Sequence, residues 1–270
     1  MDSTALGTRI KSYEKVNTSR KGIKGLPLMI RLDGKKFSNF TRGMKRPYDE
    51  DFRNLMSETT KFLVSETNAL VGFHQSDEIT LLLYNDKLNG EVYFDAKFHK
   101  IDSILASKAS VYLNSILSKY FPDKVNLNPI FDCRSFNVPT KDEAVNTILW
   151  RELDATKNSV SMLAQCNFSH KQLHKKHTGE MLIMLEEKGI KWCEYPARFK
   201  RGEYIFRAKE FTKFSTEELS RLPSKHDAHK NPELMIERSV IKSVILPVLT
   251  KITNRVDVLF NGKQPETNTL

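Results

Sequence analysis

A chain of 270 residues, 39% of them hydrophobic, can bury a substantial core as one large domain or as a catalytic domain with a smaller appendage. Its 43 Lys and Arg against 33 Asp and Glu leave a net charge of +10, which suits a polyanionic partner but also plain solubility. Cys133, Cys166 and Cys193 stand too far apart for a metal or redox pair and read as buried thiols of a reducing compartment, Met1 to Lys11 lacks a signal-like apolar core, and no stretch reaches the roughly 18 apolar residues of a membrane span, so a cytoplasmic protein with no membrane partner is expected.

The first strong element is the β-type run Leu28-Met29-Ile30-Arg31-Leu32-Asp33, which stops at the turn signal Asp33-Gly34 and so leaves an acid at a strand end. From Glu50 to Asn68 the positions Phe52, Leu55, Met56, Phe62 and Leu63 share one face of a helix that Asp49 can cap. Two apolar runs, Leu70 to Phe73 and Ile79 to Tyr84, flank His74-Gln75-Ser76-Asp77-Glu78 and predict a hairpin with acids at its tip. Phe98, Ile101, Leu105, Ala109, Tyr112, Ile116 and Tyr120 recur every three or four residues, which predicts a long helix over 96–120. Pro129 to Phe136 reads as a fourth strand, and Val145, Leu149, Leu153, Val160 and Leu163 mark another helix. The order strand, helix, strand, strand, helix, strand is the split βαβ pattern of a ferredoxin-like sheet, so the expected class is α+β. Beyond Phe168 the pattern weakens: a short helix from Thr178 to Gly189, a basic stretch from Tyr195 to Asn231 with a strand at Tyr204 to Phe206, and a polar, frayed tail from Gly262.

Asp33 at a strand end and Asp77 at the next hairpin turn can converge at one sheet edge, because adjacent strands lie about 5 Å apart. Each alone is also an ordinary turn residue; together they suit a divalent cation, which relieves the repulsion between clustered carboxylates and serves phosphoryl transfer. Glu78 is counted with them as a third catalytic acid, although strand alternation would turn it away from a shared site. A triphosphate also needs cations, for which Lys45, Arg46, Lys97, Lys100 and Arg134 are candidates, with Arg134 favoured as a charge inside an apolar strand. Arg151, Asp154, Asn158 and Ser161 form a polar stripe opposite the apolar face of their helix, suited to sugar and base contacts or simply to solvent. His170, His174 and His177 have zinc-like spacing, but lysines crowd them and no acid or cysteine accompanies them. His170, Lys171, His174, Lys175 and Lys176 therefore read as a basic surface for RNA phosphates. No Gly-rich phosphate loop, dinucleotide fingerprint or nucleophile elbow is present, which argues against P-loop ATPases, dehydrogenases and α/β hydrolases.

At these same residues the chain resembles the tRNA-histidine guanylyltransferase superfamily, enzymes that polymerise in the 3′-to-5′ direction on tRNA. The resemblance spans most of residues 10–190 and is sharpest at Arg31-Leu32-Asp33-Gly34 with Phe37, at Gln75-Ser76-Asp77-Glu78, at Phe131-Asp132-Cys133-Arg134, and at Trp150-Arg151 with Asp154. It implies a polymerase palm, an antiparallel sheet with helices packed on one face, as a catalytic domain over 1–140. A helical and basic C-terminal part over 141–270 would pack on that palm. It further implies two Mg2+ ions held by Asp33, the Gly34 carbonyl and Asp77, and nucleotide contacts from Gly34, Lys35, Lys36, Phe37, Arg46, Ser76, Lys97, Lys100, Arg134 and Asn158. In such enzymes ATP or GTP activates a 5′-monophosphate of tRNA, and the 3′-hydroxyl of an incoming nucleotide, usually GTP, attacks the activated end. A homotetramer is expected as well. Where eukaryotic members carry His-Ile-Asn-Asn-Leu-Tyr-Asn, this chain has Thr156-Lys157-Asn158-Ser159-Val160-Ser161-Met162, which is more similar to the bacterial, archaeal and phage branch that repairs 5′-truncated tRNAs. The competing readings are a palm-type nucleotide cyclase or synthase, which typically shows Gly-Gly where Gln75-Ser76 stands here, and a non-catalytic RNA-binding protein.

Overall fold

The computed structural model describes residues 3–86, 90–231 and 233–268. In chain order the elements are α1 (Ser3–Thr18), β1 (Leu28–Lys35), α2 (Phe37–Phe40), α3 (Glu50–Thr67), β2 (Val71–Gln75), β3 (Glu78–Leu83), α4 (Phe98–Tyr120) and β4 (Ile130–Asn137). They continue with α5 (Lys141–Asn167), α6 (His170–Leu173), α7 (Thr178–Glu187), α8 (Ala197–Arg201), β5 (Glu203–Lys213), α9 (Thr216–Arg221), α10 (Asp227–Lys230), β6 (Met235–Val244) and α11 (Arg255–Asn261). The strands form one antiparallel sheet in the order β4-β1-β3-β2-β5-β6. Its first four strands have the ferredoxin-like arrangement that the sequence predicts.

Alternation along β1 sorts its side chains. Leu28, Ile30 and Leu32 enter one core with Leu55, Leu63, Ile101, Leu105 and Leu113 of α3 and α4, while Met29 enters a second core on the opposite face. The α3 helix starts where Asp49 accepts hydrogen bonds from the Asp51 and Phe52 amides, and it ends at Asn68 in the left-handed conformation. On α4 the fully buried stripe ends with Leu113 and Leu117; Tyr112, expected on that stripe, lies at its rim and stacks on Phe62 at 4.1 Å.

The palm helices α3 and α4 cover one face as expected, and the C-terminal part closes the other. Ala144, Val145 and Ile148 of α5 meet Met29, Val71, Phe73 and Leu82, joined by Leu249, Val258 and Leu259. Buried Glu152 fixes α5 there by accepting the Tyr204 hydroxyl at 2.6 Å and the Leu249 amide at 2.9 Å. A buried carboxylate is tolerated only when its lone pairs are filled in this way. Leu153, expected on the apolar face of α5, is exposed instead.

Several expectations need correction. The strand expected at Tyr204 to Phe206 is the start of β5, which pairs with β2 only between Glu203 and Phe206 and then continues with β6 as far as Lys213↔Met235. This distal ribbon alternates polar and half-buried residues, so it carries no core-strand signal. The tail is tethered rather than frayed as far as Thr267: the Thr253 amide donates to Glu266 O at 2.8 Å and Ile252 bridges Thr267, while residues 269–270 lie outside the described part. Cys166 and Cys193 are exposed and only Cys133 is substantially shielded, so the thiols are not a buried set. The α1 helix had no clear sequence signal, because its apolar positions Leu6, Ile10, Tyr13 and Val16 all face outward.

Candidate active site

The acids meet at the end of the two central strands. Asp33 on β1 is directly opposite Glu78 on β3 and Asp132 on β4. Directly paired residues share a face and stand about 5 Å apart. That face is the one carrying Met29 and α5, so Glu78 points toward Asp33, which corrects the expectation that alternation turns it away. Parity in β3 restarts at Glu78, and Asp77 reaches the site from the turn before it. Ser76, with φ of 53°, provides the tight reversal there.

Glu78 is held by two arginines, with Arg31 Nη2 at 3.0 Å and Arg151 Nη2 at 2.7 Å. Arg151 is buried and also donates to Asp154 Oδ2 at 2.6 Å, and Asn158 donates to the same oxygen at 3.2 Å. The stripe read as a solvent-facing or ligand-reading row is thus, at Arg151 and Asp154, a clamp joining α5 to the hairpin. Asp33 is left without so close a cation: Arg134 Nη2 is 4.0 Å away and lies nearer Asp132, at 3.2 Å. Arg134 is more than half exposed on an edge strand, so its place in the sequence does not reflect burial as expected.

Burial pushes the Asp77 carboxyl up from the usual 3.8 to about 6; hydrogen bonds from its own backbone and the Ser76 side chain oppose this, and the charges of Asp33 and Glu78 add to it. Among the described residues no group of three or more His, Cys, Asp or Glu is placed to hold a metal by itself. The donors that the structure brings together are the carboxylates of Asp33 and Asp77. They fit Mg2+, a hard cation usually held by one or two carboxylates and completed by water and substrate phosphates, and crowding at Asp77 is a cost that such a cation relieves.

Gly34 is required by packing, since a Cβ there would run into the Phe37 ring. Phe37 itself is 2% exposed and packs on Phe40, Phe52 and Phe131, so its side chain braces the turn from within the core and leaves only its backbone for a ligand. Lys35 and Lys36 are exposed on the turn. Lys97 and Lys100 are not brought to the acids. Lys97 bridges Lys21, and the adjoining Ile23 amide is held by Asn137, which pairs with Leu28 at the far end of β1. That end is about 17 Å along the strand from Asp33 at ~3.4 Å per residue.

Next to the Asp77 turn lies a cleft of about 230 Å³ lined by Lys45, Arg46, Tyr48, Gln75, Ser76 and Phe199, with Tyr48 stacked on Phe199 at 5.0 Å. Its wall contains a network that sequence reasoning missed. Glu203, 1% exposed, meets Arg53 Nη1 at 3.0 Å, His74 Nε2 at 3.3 Å and Arg198 Nε at 3.3 Å, and accepts the Ser243 hydroxyl. Burial pushes the Glu203 carboxyl up, but the close approach of His74, the Ser243 hydrogen bond and the charge of Arg53 outweigh it and hold it at about 2. The available signal was a lone polar His74 following an apolar run. Gly202, with φ of 83° and the His74 carbonyl close by, brings Glu203 opposite it.

His170, Lys171, His174, Lys175 and Lys176 are all exposed beyond the C-terminal end of α5. An acid does stand near the histidines, contrary to expectation. Glu180 is committed to the His177 amide at 3.0 Å and to Lys176 at 2.8 Å as part of the α7 cap.

The family profile described as Thg1, tRNAHis guanylyltransferase, matches residues 7–139. A bacterial tRNA(His) guanylyltransferase (Thg1)-like protein, solved in complex with ATP, is 38% identical with a TM-score of 0.70 over 74% of this chain and 88% of its own. The chain belongs to the tRNA(His) guanylyltransferase (Thg1) family. A second structure of a bacterial Thg1-like protein, in complex with GTP, is 34% identical with a TM-score of 0.63, covering 75% of this chain and 86% of that one. The tRNA(His) guanylyltransferase of Saccharomyces cerevisiae is 25% identical over 68% of this chain and 83% of its own length. As a Thg1 family member the chain is a nucleotidyltransferase of the tRNA guanylyltransferase kind. Among the described residues no helix is long and apolar enough to cross a membrane.

Proposed function

We propose that this enzyme extends the 5′ end of tRNA in the 3′-to-5′ direction, using ATP or GTP to activate a 5′-monophosphate and then adding a nucleotide, usually from GTP. The reading extends to template-dependent repair of 5′-truncated tRNAs, to a cytoplasmic homotetramer, and to residues 1–140 as the catalytic palm with 141–270 packed on it. The observation that carries it is the convergence of Asp33 and Asp77 at the end of the central strands, where the charge of Asp33 adds to the cost of ionising Asp77.

Asp33, Asp77 and the Gly34 carbonyl would hold two Mg2+ ions. When bound, these supply a Lewis acid for the attacking oxygen and for the departing phosphate. The chain's own groups do the rest. Arg31 and Arg151 neutralise Glu78 and fix the hairpin, so that the Asp77 carboxylate is aimed without a search through rotamers. Arg134, exposed beside Asp33, and Arg46 in the cleft would neutralise a triphosphate, the Ser76 hydroxyl would hydrogen-bond it, and Lys35 and Lys36 offer further charge at the turn. Asn158 stands one helical turn beyond Asp154 for a sugar or base contact. The exposed basic residues His170 to Lys176 take tRNA phosphates.

Replacing Asp33 or Asp77 with Ala is expected to abolish incorporation of labelled GTP into a 5′-truncated tRNA while tRNA binding survives. Full incorporation by either variant refutes the assignment, and cyclic dinucleotide made from GTP alone points to a cyclase instead.

A further inference from the structure

We infer that Trp150 is a stacking platform for the terminal base of the tRNA 5′ strand, beside the acids and outside the nucleotide cleft. This rests on the tRNA reading above and adds the residue that seats the acceptor strand.

The two tryptophans of the chain have opposite surroundings. Trp192 is half-buried and its Nε1 donates to Ser159 Oγ at 3.0 Å, whereas Trp150 is 56% exposed. More than half of this indole is therefore open to stack against a ligand. Its position is fixed: Arg151 Cζ lies 4.3 Å and Arg31 Cζ 5.6 Å from the ring. Both guanidiniums also grip Glu78, and Arg31 is two residues from Asp33 on the same face of β1. Both Nε atoms are buried with no hydrogen-bond partner, and the ion pairs to Glu78 are what orient the two guanidiniums. The indole therefore stands preorganised at the margin of the acid cluster.

The openness of the platform selects the occupant. A free nucleotide binds in a concave site that encloses it, and the cleft near Ser76 is such a site; Trp150 does not line it. A base tethered to a docked RNA needs no enclosure, because its local concentration is set by the rest of the strand. Aromatic stacking is also tolerant of base identity, as required of an enzyme whose choice of nucleotide is made by the template.

The test uses the intact protein and a 5′-monophosphorylated tRNA lacking its first nucleotide. Binding should quench tryptophan emission in the wild type, and the quenching should disappear in Trp150→Phe, which keeps a stacking ring, and with a tRNA whose 5′-terminal nucleotide is abasic. In turnover, Trp150→Leu should raise KM for tRNA about tenfold, with kcat and KM for GTP within about twofold, while Trp150→Phe stays near wild type. Equal quenching by the abasic tRNA, an unchanged KM for tRNA in Trp150→Leu, or a shift in KM for GTP instead would overturn the inference. A wild-type enzyme that binds tRNA and shows the Trp150 signal but transfers no nucleotide would sink the catalytic reading and leave the platform standing.

Discussion

Asp77 is the residue whose ionisation decides the most. Its carboxyl is pushed up to about 6, above the value of 3.8 it has in the unfolded chain, so the folded state favours the protonated form. The sign follows: this group favours folding most at low pH, and that contribution is lost as pH rises from about 4 through 6. Without divalent cations, Asp77→Asn should melt above wild type at pH 7.5, by on the order of 1 kcal/mol or more at about 1.4 kcal/mol per pKa unit, and the gap should close near pH 4. Added Mg2+ should raise the melting temperature of wild type at pH 7.5 but not that of Asp77→Asn. A melting difference that widens toward pH 4 contradicts this account. Asp33 and Asp77 were legible because a turn signal beside a strand locates an acid in three dimensions. The orientation of Glu78 was not, because alternation cannot be counted through a turn whose residues belong to neither strand.

At the scale of elements, Glu203 ties together α3, β2, α8 and β6 through Arg53, His74, Arg198 and Ser243. Its folded pKa of about 2 lies below the usual 4.5, so its stabilising contribution is full above pH 4.5 and is lost as pH falls toward 2. Glu203→Gln leaves Arg198 without its carboxylate partner and Arg53 with Glu50 alone, and should lower unfolding stability by about 3 kcal/mol at pH 7, read from urea denaturation. The four strands, α3 and α4 could be read from the chain because each carries a periodic apolar face and, for α3, a cap. The β5–β6 ribbon could not, since its outer half buries little on either face, and neither could the partners of Glu203, which come from segments far apart in sequence.

For the whole molecule, the net charge of +10 includes the exposed Lys171, Lys175 and Lys176 beyond the C-terminal end of α5. Removing Lys171, Lys175 and Lys176 together by Ala substitution should weaken tRNA binding at low salt. It should also make the slope of log affinity against log salt shallower by about 2, measured by filter binding between 50 and 200 mM salt. An unchanged slope would mean these residues face away from the RNA. The sheet that bears the acids has a further property. Strands β1 and β3 are paired on both sides, with β4 and β2 as their outer neighbours, whereas the cleft loop and the distal ribbon have no such flanking ladders. Amide deuteration should therefore reach Ile30, Leu32 and Leu81 last, so that the loop around Arg46 can remodel while the strands bearing Asp33 and Glu78 hardly breathe.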